Sequence, residues 1–365
     1  MEDPVRIGLI GCGTISPAYL NAAKTFPILD FVACADINSD ASSACSQKFG
    51  IPAMSVDQLL ANQEVETVLN LTIPAAHAEV NSSAIDAGKH VYCEKPFALD
   101  VAEGALVVEE ARKKGLRVGC APDTFLGGGH QTVRKLIDDG AIGNPVAATA
   151  FMMSHGVETW HPSPEFYYKR GGGPVFDMGP YYITALVNSL GSVSRVTAFT
   201  GKAFDERTIT SQPRAGKTIQ VEVSTHATGA LEFENGALLT ICMSFDVWSH
   251  IHPNIEIHGT DASMLVPDPN GFGGKVLVSA ERGQWNEETL THGYTQNMRS
   301  IGLADMCKGL RTCRLHRASG ELAFHVLEVM AAFDKSCTEK SHVEIESRVK
   351  RPAALSLGLA HGELD

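Results

Sequence analysis

Two different periodicities follow one another along the chain. Short apolar runs at residues 5–10, 31–36, 68–72, 90–94 and 118–121 alternate with longer amphipathic stretches at 17–25, 40–49, 75–87 and 101–114. Short runs of this kind, closed by polar or glycine-rich turns, predict strands buried on both faces, and the stretches between them predict helices. Strand and helix in alternation imply βαβ units and a parallel, doubly wound sheet. From about residue 145 the pattern changes. Residues 146–153, 193–204, 219–225, 230–233, 237–245 and 255–257 are mostly longer, alternating runs, and Asn235-Gly236 between two of them is a hairpin signal. Helices are expected at 125–139, 180–190, 301–310 and 320–335, the last with Leu322, Val326, Val329 and Phe333 on one face. The predicted architecture is an α/β domain with a doubly wound parallel sheet over residues 1–124. An α+β domain with a large open, mainly antiparallel sheet follows over residues 125–365.

Composition fits one large or two ordinary cores, and two are expected: the chain has 365 residues, 44% of them hydrophobic and 20% charged. A net charge of -12 argues against nucleic acid or an anionic membrane as partner, since both demand a basic surface. The expected partner is a small molecule. The first residues lack a basic region and long apolar core, and no apolar run reaches 18 residues, so a cytoplasmic protein is expected. The nine cysteines are scattered without a CxxC pair, several inside apolar runs, which suits a reducing compartment and thiols packed as small hydrophobes.

The first strand runs into Gly11-Cys12-Gly13 followed by Thr14, Ile15 and Ser16, a strand–turn–helix with the spacing of a dinucleotide fingerprint. Gly11 makes the turn, Gly13 lets backbone approach a pyrophosphate, and Ser16 stands in place of the third glycine. Asp36 closes the second strand 23 residues after Gly13, where its carboxylate can accept from ribose hydroxyls. The residues after it, Ile37 and Asn38, offer no arginine to a 2′-phosphate, so NAD is favoured over NADP. All parallel strands end on one edge, which collects Gly11, Asp36, Thr72, Pro74, Lys95 and Asp123. His77 either lines this cleft or sits on a helix surface. Glu94 and Lys95 point to opposite faces, leaving Lys95 free to enter the cleft. Partial burial beside a positive nicotinamide ring is expected to lower its pKa toward working pH, as proton transfer requires.

Gly11-Cys12-Gly13, the segment Thr72 to His77, Glu94-Lys95-Pro96, and Gly171-Gly172-Gly173 with Asp177 and Gly179 stand in the order of the Gfo/Idh/MocA oxidoreductases, a family this chain resembles over nearly its whole length. The resemblance implies a Rossmann domain followed by an open-faced sheet domain, NAD(P) in the cleft, and oxidation of a hydroxyl on a sugar, cyclitol or related polyol. It also implies homodimers or homotetramers built through the large sheet. The chain departs from many relatives in placing Tyr181, not histidine, four residues after Asp177, which resembles the glucose-fructose oxidoreductase and dihydrodiol dehydrogenase branches. A helical spacing of four keeps both side chains on one face. The expected catalytic residues are therefore Lys95, Tyr181 and Asp177, with Tyr181 and Tyr182 alternatively packing at a domain interface.

Trp160 and His161 open a proline-stiffened aromatic stretch through Glu165, Phe166, Tyr167 and Tyr168. Aromatic faces stack on sugar rings, so Trp160 and His161 are substrate-binding candidates, with an oligomer contact as the other use of such residues. His250 and His252 share a strand face but no third ligand is identifiable, and no metal site is assigned. Two further functions start from the same residues: a glycoside hydrolase working by transient oxidation and elimination, and a non-catalytic NAD or sugar sensor. Lys95, Asp177 and Tyr181 together argue against the sensor.

Overall fold

The structure is a computed structural model describing residues 2–365. Strands β1 (Val5–Ile10), β2 (Leu29–Ala35), β3 (Thr67–Asn70), β4 (His90–Cys93) and β5 (Val118–Cys120) form a parallel sheet in the order β2-β1-β3-β4-β5. β3 and β5 are buried throughout, as strands inside a parallel sheet covered on both faces are, and β3 buries the polar ends Thr67 and Asn70 with Val68 and Leu69. Helices α1 (Ser16–Ala23), α2 (Ser39–Phe49), α3 (Val56–Ala61), α4 (His77–Asp86) and α5 (Val101–Lys114) connect them. The strand order reverses at β1, so a crevice opens between the carboxyl ends of β1 and β3. The short α3 was not expected, although its signal is present: Ser55 and Gln58 form a reciprocal capping box. Outside β2 a further strand is reduced to a single bridge between Cys34 and Ala53.

A nine-stranded sheet follows. β6 (Pro145–Met153), β7 (Val193–Gly201), β10 (His226–Phe233), β11 (Leu238–Ser244), β12 (Ile255–Gly259), β13 (Ser263–Val266), β14 (Val276–Glu281), β15 (Gln284–Glu288) and β16 (Val343–Glu344) lie in the order β15-β14-β13-β12-β6-β11-β10-β7-β16. Only β6 and β11 run parallel. The expected hairpin turns at Asn235-Gly236, with Gly236 at φ 87° and the Phe233 N–H donating to the Ala237 carbonyl at 3.0 Å. The expected strand over 219–225 is shorter: β9 (Thr218–Gln220) pairs with β8 (Glu206–Thr208) in a separate ribbon. β13 to β15 were not expected: β13 has four residues, the prolines and glycines of 267–274 separate it from β14, and β15 is polar except for Trp285.

Helices α6 (Gly128–Asp138), α7 (Gly173–Leu190), α8 (Ile301–Thr312) and α9 (Gly320–Glu339) complete the fold. α7 starts at Gly173, not at Pro180 as the sequence suggested. Pro180 lies inside the helix, where it cannot donate to the Phe176 carbonyl and its ring crowds that oxygen. α7 packs on β6, β10 and β11, while α9 packs on β7 and α7. The opposite sheet face carries exposed Phe199 and Leu238. α9 also reaches back to α5 and β5, and the Cys120 N–H donates to the Ala318 carbonyl at 3.1 Å.

Candidate active site

The turn after β1 needs glycine at one position for two reasons. Gly11 has φ +98°, and a Cβ there would lie 2.5 Å from the Leu71 carbonyl. The next residue ties the turn to the acidic end of β2. The Cys12 N–H donates to Asp36 Oδ2 at 2.7 Å, and the Asn38 N–H donates to Oδ1 at 2.8 Å. Each carboxylate oxygen keeps a lone pair for another donor. Gly13 and Thr14 are exposed, Ile15 is half-buried, and nothing lies within 4 Å of where a Gly13 Cβ would stand. Ser16 is buried and its Oγ donates to the Gly13 carbonyl at 2.9 Å, so the small side chain both permits close packing and adds a bond.

At the end of β3, buried Asn70 accepts from the Thr72 N–H at 3.1 Å and the Thr72 hydroxyl at 2.7 Å. Pro74 begins a single 3-10 turn ahead of α4. His77 is fully buried, neither on a helix surface nor free in the cleft. Its ring nitrogens lie 2.6 Å from the Pro96 carbonyl and 3.0 Å from the Thr72 carbonyl, so it braces the loop after β3 against the loop after β4. Burial lowers its pKa.

Glu94 and Lys95 diverge at the end of β4 as alternation requires. Glu94 faces inward: Oε1 accepts from the Tyr19 hydroxyl at 2.7 Å and Oε2 from the Lys95 N–H at 2.8 Å. Lys95 crosses to α7, where its Nζ donates to Asp177 Oδ1 and to the Asp177 carbonyl, both at 2.7 Å, and lies 5.1 Å from the Tyr181 ring centroid. Gly171 permits this approach: it has φ +82°, and a Cβ there would sit 2.3 Å from Leu99, in the loop following Lys95. Burial pushes the Lys95 pKa down, but the Asp177 carboxylate foremost, with Tyr181 and Glu94 beside it, outweighs burial and holds the ammonium well above its ordinary value. Burial thus brings a carboxylate into contact as well as removing water, whereas the fall expected from the sequence belongs to the complex with a positive nicotinamide ring. Burial raises Tyr181, against the pull of Lys95.

Two residues join this cluster that sequence reasoning did not single out. Tyr167 is pushed up to about 12 by burial and then by Asp177, with Lys95 opposing. Its signal was the aromatic stretch it belongs to. Arg299 is held above its ordinary value by Tyr181, Asp123 and Glu94 despite burial. It precedes α8 in a polar segment without periodicity, and no local pattern ties it to the cleft. Asp123, placed on the strand-end edge by sequence, is instead buried as a cap for α8. Its Oδ2 accepts from the Ser300 N–H at 3.1 Å and the Gly302 N–H at 3.0 Å.

The aromatic stretch lies against the same cluster. The His161 ring meets Tyr167 edge-on at 5.2 Å and Trp160 at 5.4 Å, and Trp160 is 64% exposed. Burial lowers the His161 pKa, with Asp177 acting in the opposite direction. Buried charges anchor the stretch: Arg207 pairs with Glu158 at 2.6 Å and with Asp246, while the Tyr168 hydroxyl donates to Glu158. Tyr182 packs at the sheet, its hydroxyl accepting from Asn254 Nδ2 at 2.7 Å. His250 and His252 face each other at 6.2 Å between ring centroids, and His252 stacks on Phe151 at 4.3 Å.

Two family models match the chain. Residues 5–121 match the family model described as an oxidoreductase family with an NAD-binding Rossmann fold, and residues 130–265 match the GFO/IDH/MocA C-terminal domain. The chain is 26% identical to a 1,5-anhydro-D-fructose reductase of Ensifer adhaerens over 71% of its length and 75% of that protein. It is 23% identical to a myo-inositol 2-dehydrogenase of Thermotoga maritima, over 94% of this chain and 99% of that one. Among solved structures, a levoglucosan dehydrogenase in complex with NADH and L-sorbose superposes with a TM-score of 0.79 at 20% identity, covering 94% and 99% of the two chains. That likeness shows the shared fold.

Proposed function

Because the chain belongs to the GFO/IDH/MocA family of oxidoreductases, we propose that it is an NAD-dependent dehydrogenase acting on a hydroxyl of a sugar, glycoside or polyol. The observation that carries this is the convergence of Lys95, Asp177 and Tyr181 beside the strand-end edge that holds the glycine turn. Residues 1–124 are assigned to the cofactor and residues 125–365 to substrate and assembly.

The open backbone at Gly13 and the tight turn at Gly11 fit a pyrophosphate, and Asp36 fits the ribose hydroxyls while repelling a 2′-phosphate. Bound there, NAD supplies the hydride acceptor and a positive ring that favours neutral Lys95. In oxidation, Lys95 takes the hydroxyl proton, Tyr181 donates a hydrogen bond to the same oxygen, and Asp177 orients Lys95 and a neighbouring hydroxyl. In reduction, the Lys95 ammonium returns its proton to the carbonyl oxygen. Tyr167, His161 and Trp160 offer faces and edges to the ring of the substrate. The protein is assigned to the cytoplasm on its nine free thiols, and among the described residues no helix is long and apolar enough to cross a membrane. Exposed Phe199 and Leu238 make the open sheet face the candidate surface for a homodimer or homotetramer.

The test is incubation with NAD and a panel of sugars, polyols and glycosides, followed by absorbance at the NADH band and mass analysis of the products. Stoichiometric NADH and ketone support the dehydrogenase. Aglycone release without NADH assigns the protein to the transient-oxidation hydrolases, and NAD binding without turnover of any member assigns it to the sensors.

A further inference from the structure

Three cysteines that look scattered in sequence converge behind the dinucleotide turn. Cys12 comes from the turn itself, Cys34 from β2 and Cys45 from α2, and their sulfur atoms all lie within 4.8 Å of one another. Cys34 and Cys45 are buried, and Cys12 is partly exposed, which leaves one side open for entry. We propose that Cys12, Cys34 and Cys45 form a three-thiolate site for a thiophilic divalent cation of the Zn2+ class.

The geometry favours a cation over a disulfide, which would join two of the sulfurs and strand the third. A Zn–S distance of about 2.3 Å places three sulfurs about 4 Å apart in a trigonal arrangement, so closing the cluster needs less than about 1 Å of movement. The chemistry balances as three thiols plus one Zn2+ giving a tris-thiolate complex and three released protons. One net negative charge remains, and Lys48 follows Cys45 on the same helix. Today the thiols point weakly at carbonyls: Cys12 Sγ lies 3.6 Å from the Ala35 oxygen, and Cys34 Sγ lies 3.7 Å from the oxygens of Ser42 and Ile51. A cation would replace these contacts. Since the Cys12 N–H also holds Asp36 at 2.7 Å, metal at Cys12 is coupled to the nucleotide turn; this coupling, unlike the metal site, rests on the proposed NAD binding.

The test is titration of the reduced full-length chain, without NAD, with Zn2+ and separately with Co2+. The expected result is one ion per chain, a thiolate-to-Co2+ charge-transfer band, proton release, and protection of Cys12, Cys34 and Cys45 from alkylation as mapped by mass spectrometry. Cys12→Ser and Cys45→Ser are each expected to lower affinity by about 100-fold or more, while Cys313→Ser, at an exposed position, leaves it unchanged. Absence of a bound ion, protection of other cysteines, or unchanged affinity in Cys12→Ser would overturn the site. NAD binding, measured separately on the metal-free chain, keeps a failure here distinct from a failure of the proposed function.

Discussion

The Lys95 ammonium and the Asp177 carboxylate, 82 residues apart, meet at 2.7 Å, and the main-chain oxygen of Asp177 receives a second bond from the same nitrogen at the same distance. The pair sets the protonation state from which the proposed chemistry starts. Lys95 is held protonated, so the proposed oxidation must first free a base, and the carboxylate opposes this.

That opposition has a sign. The Asp177 anion raises the Lys95 pKa, so Asp177→Asn lowers it. The alkaline rise in kcat for substrate oxidation is expected to move to lower pH in Asp177→Asn even as the maximal rate falls, because kcat reports groups in the substrate complex. A pH profile with its rise unmoved would separate Asp177 from the Lys95 proton.

Tyr181→Phe keeps the ring under the Lys95 ammonium and removes only the hydroxyl. The expected outcome is a fall in kcat of about 100-fold or more, with NAD affinity retained. Stopped-flow hydride transfer and a separate cofactor titration measure the two effects.

Asp36→Ala removes an acceptor that serves the Cys12 and Asn38 N–H groups and, in the proposed complex, the ribose hydroxyls. A hydrogen bond to a charged group contributes about 1.5–3 kcal/mol, so the Kd for NAD should rise by roughly 10- to 100-fold. The preference over NADP should narrow, because the charge that repels a 2′-phosphate is gone. Parallel titrations with both cofactors decide this.

Asp123 gives a stability prediction. Burial pushes its carboxyl up to about 6, against the two N–H groups it caps. A folded pKa above the unfolded one means the folded chain holds the extra proton between about pH 4 and 6, and its stability falls as pH rises through that window. Asp123→Asn removes this dependence. Between pH 4.5 and 7 the wild type is expected to lose about 2 kcal/mol more than the variant, read from urea unfolding at the two values.

The parallel sheet was legible because each of its strands is a local apolar run with a turn at its end, and β1 with Gly11 and Asp36 carries its chemistry in order along the chain. Lys95, Asp177 and Tyr181 were legible through motifs and helical spacing. What the sequence hid depended on long-range packing. Gly171 against Leu99 brings α7 to the Lys95 loop, and only that contact shows that burial arrives together with the Asp177 charge. His77 could not be placed from one helix-start position, since its partners belong to two different loops. Arg299 and the convergence of Cys12 with Cys34 and Cys45 likewise have no local signature. The start of α7 was misplaced because Pro180 reads locally as a first-turn residue, while packing on β6, β10 and β11 carries the helix through it.

The central claim is that Lys95 moves the proton while NAD takes the hydride. Steady-state NADH formation by wild type and Lys95→Ala, on whichever sugar or polyol the wild type oxidises, tests it most directly, with NAD affinity measured on both proteins. The account predicts a loss in kcat of about 100- to 10,000-fold in the variant with NAD affinity within a few-fold of wild type. An undiminished rate in Lys95→Ala would contradict it.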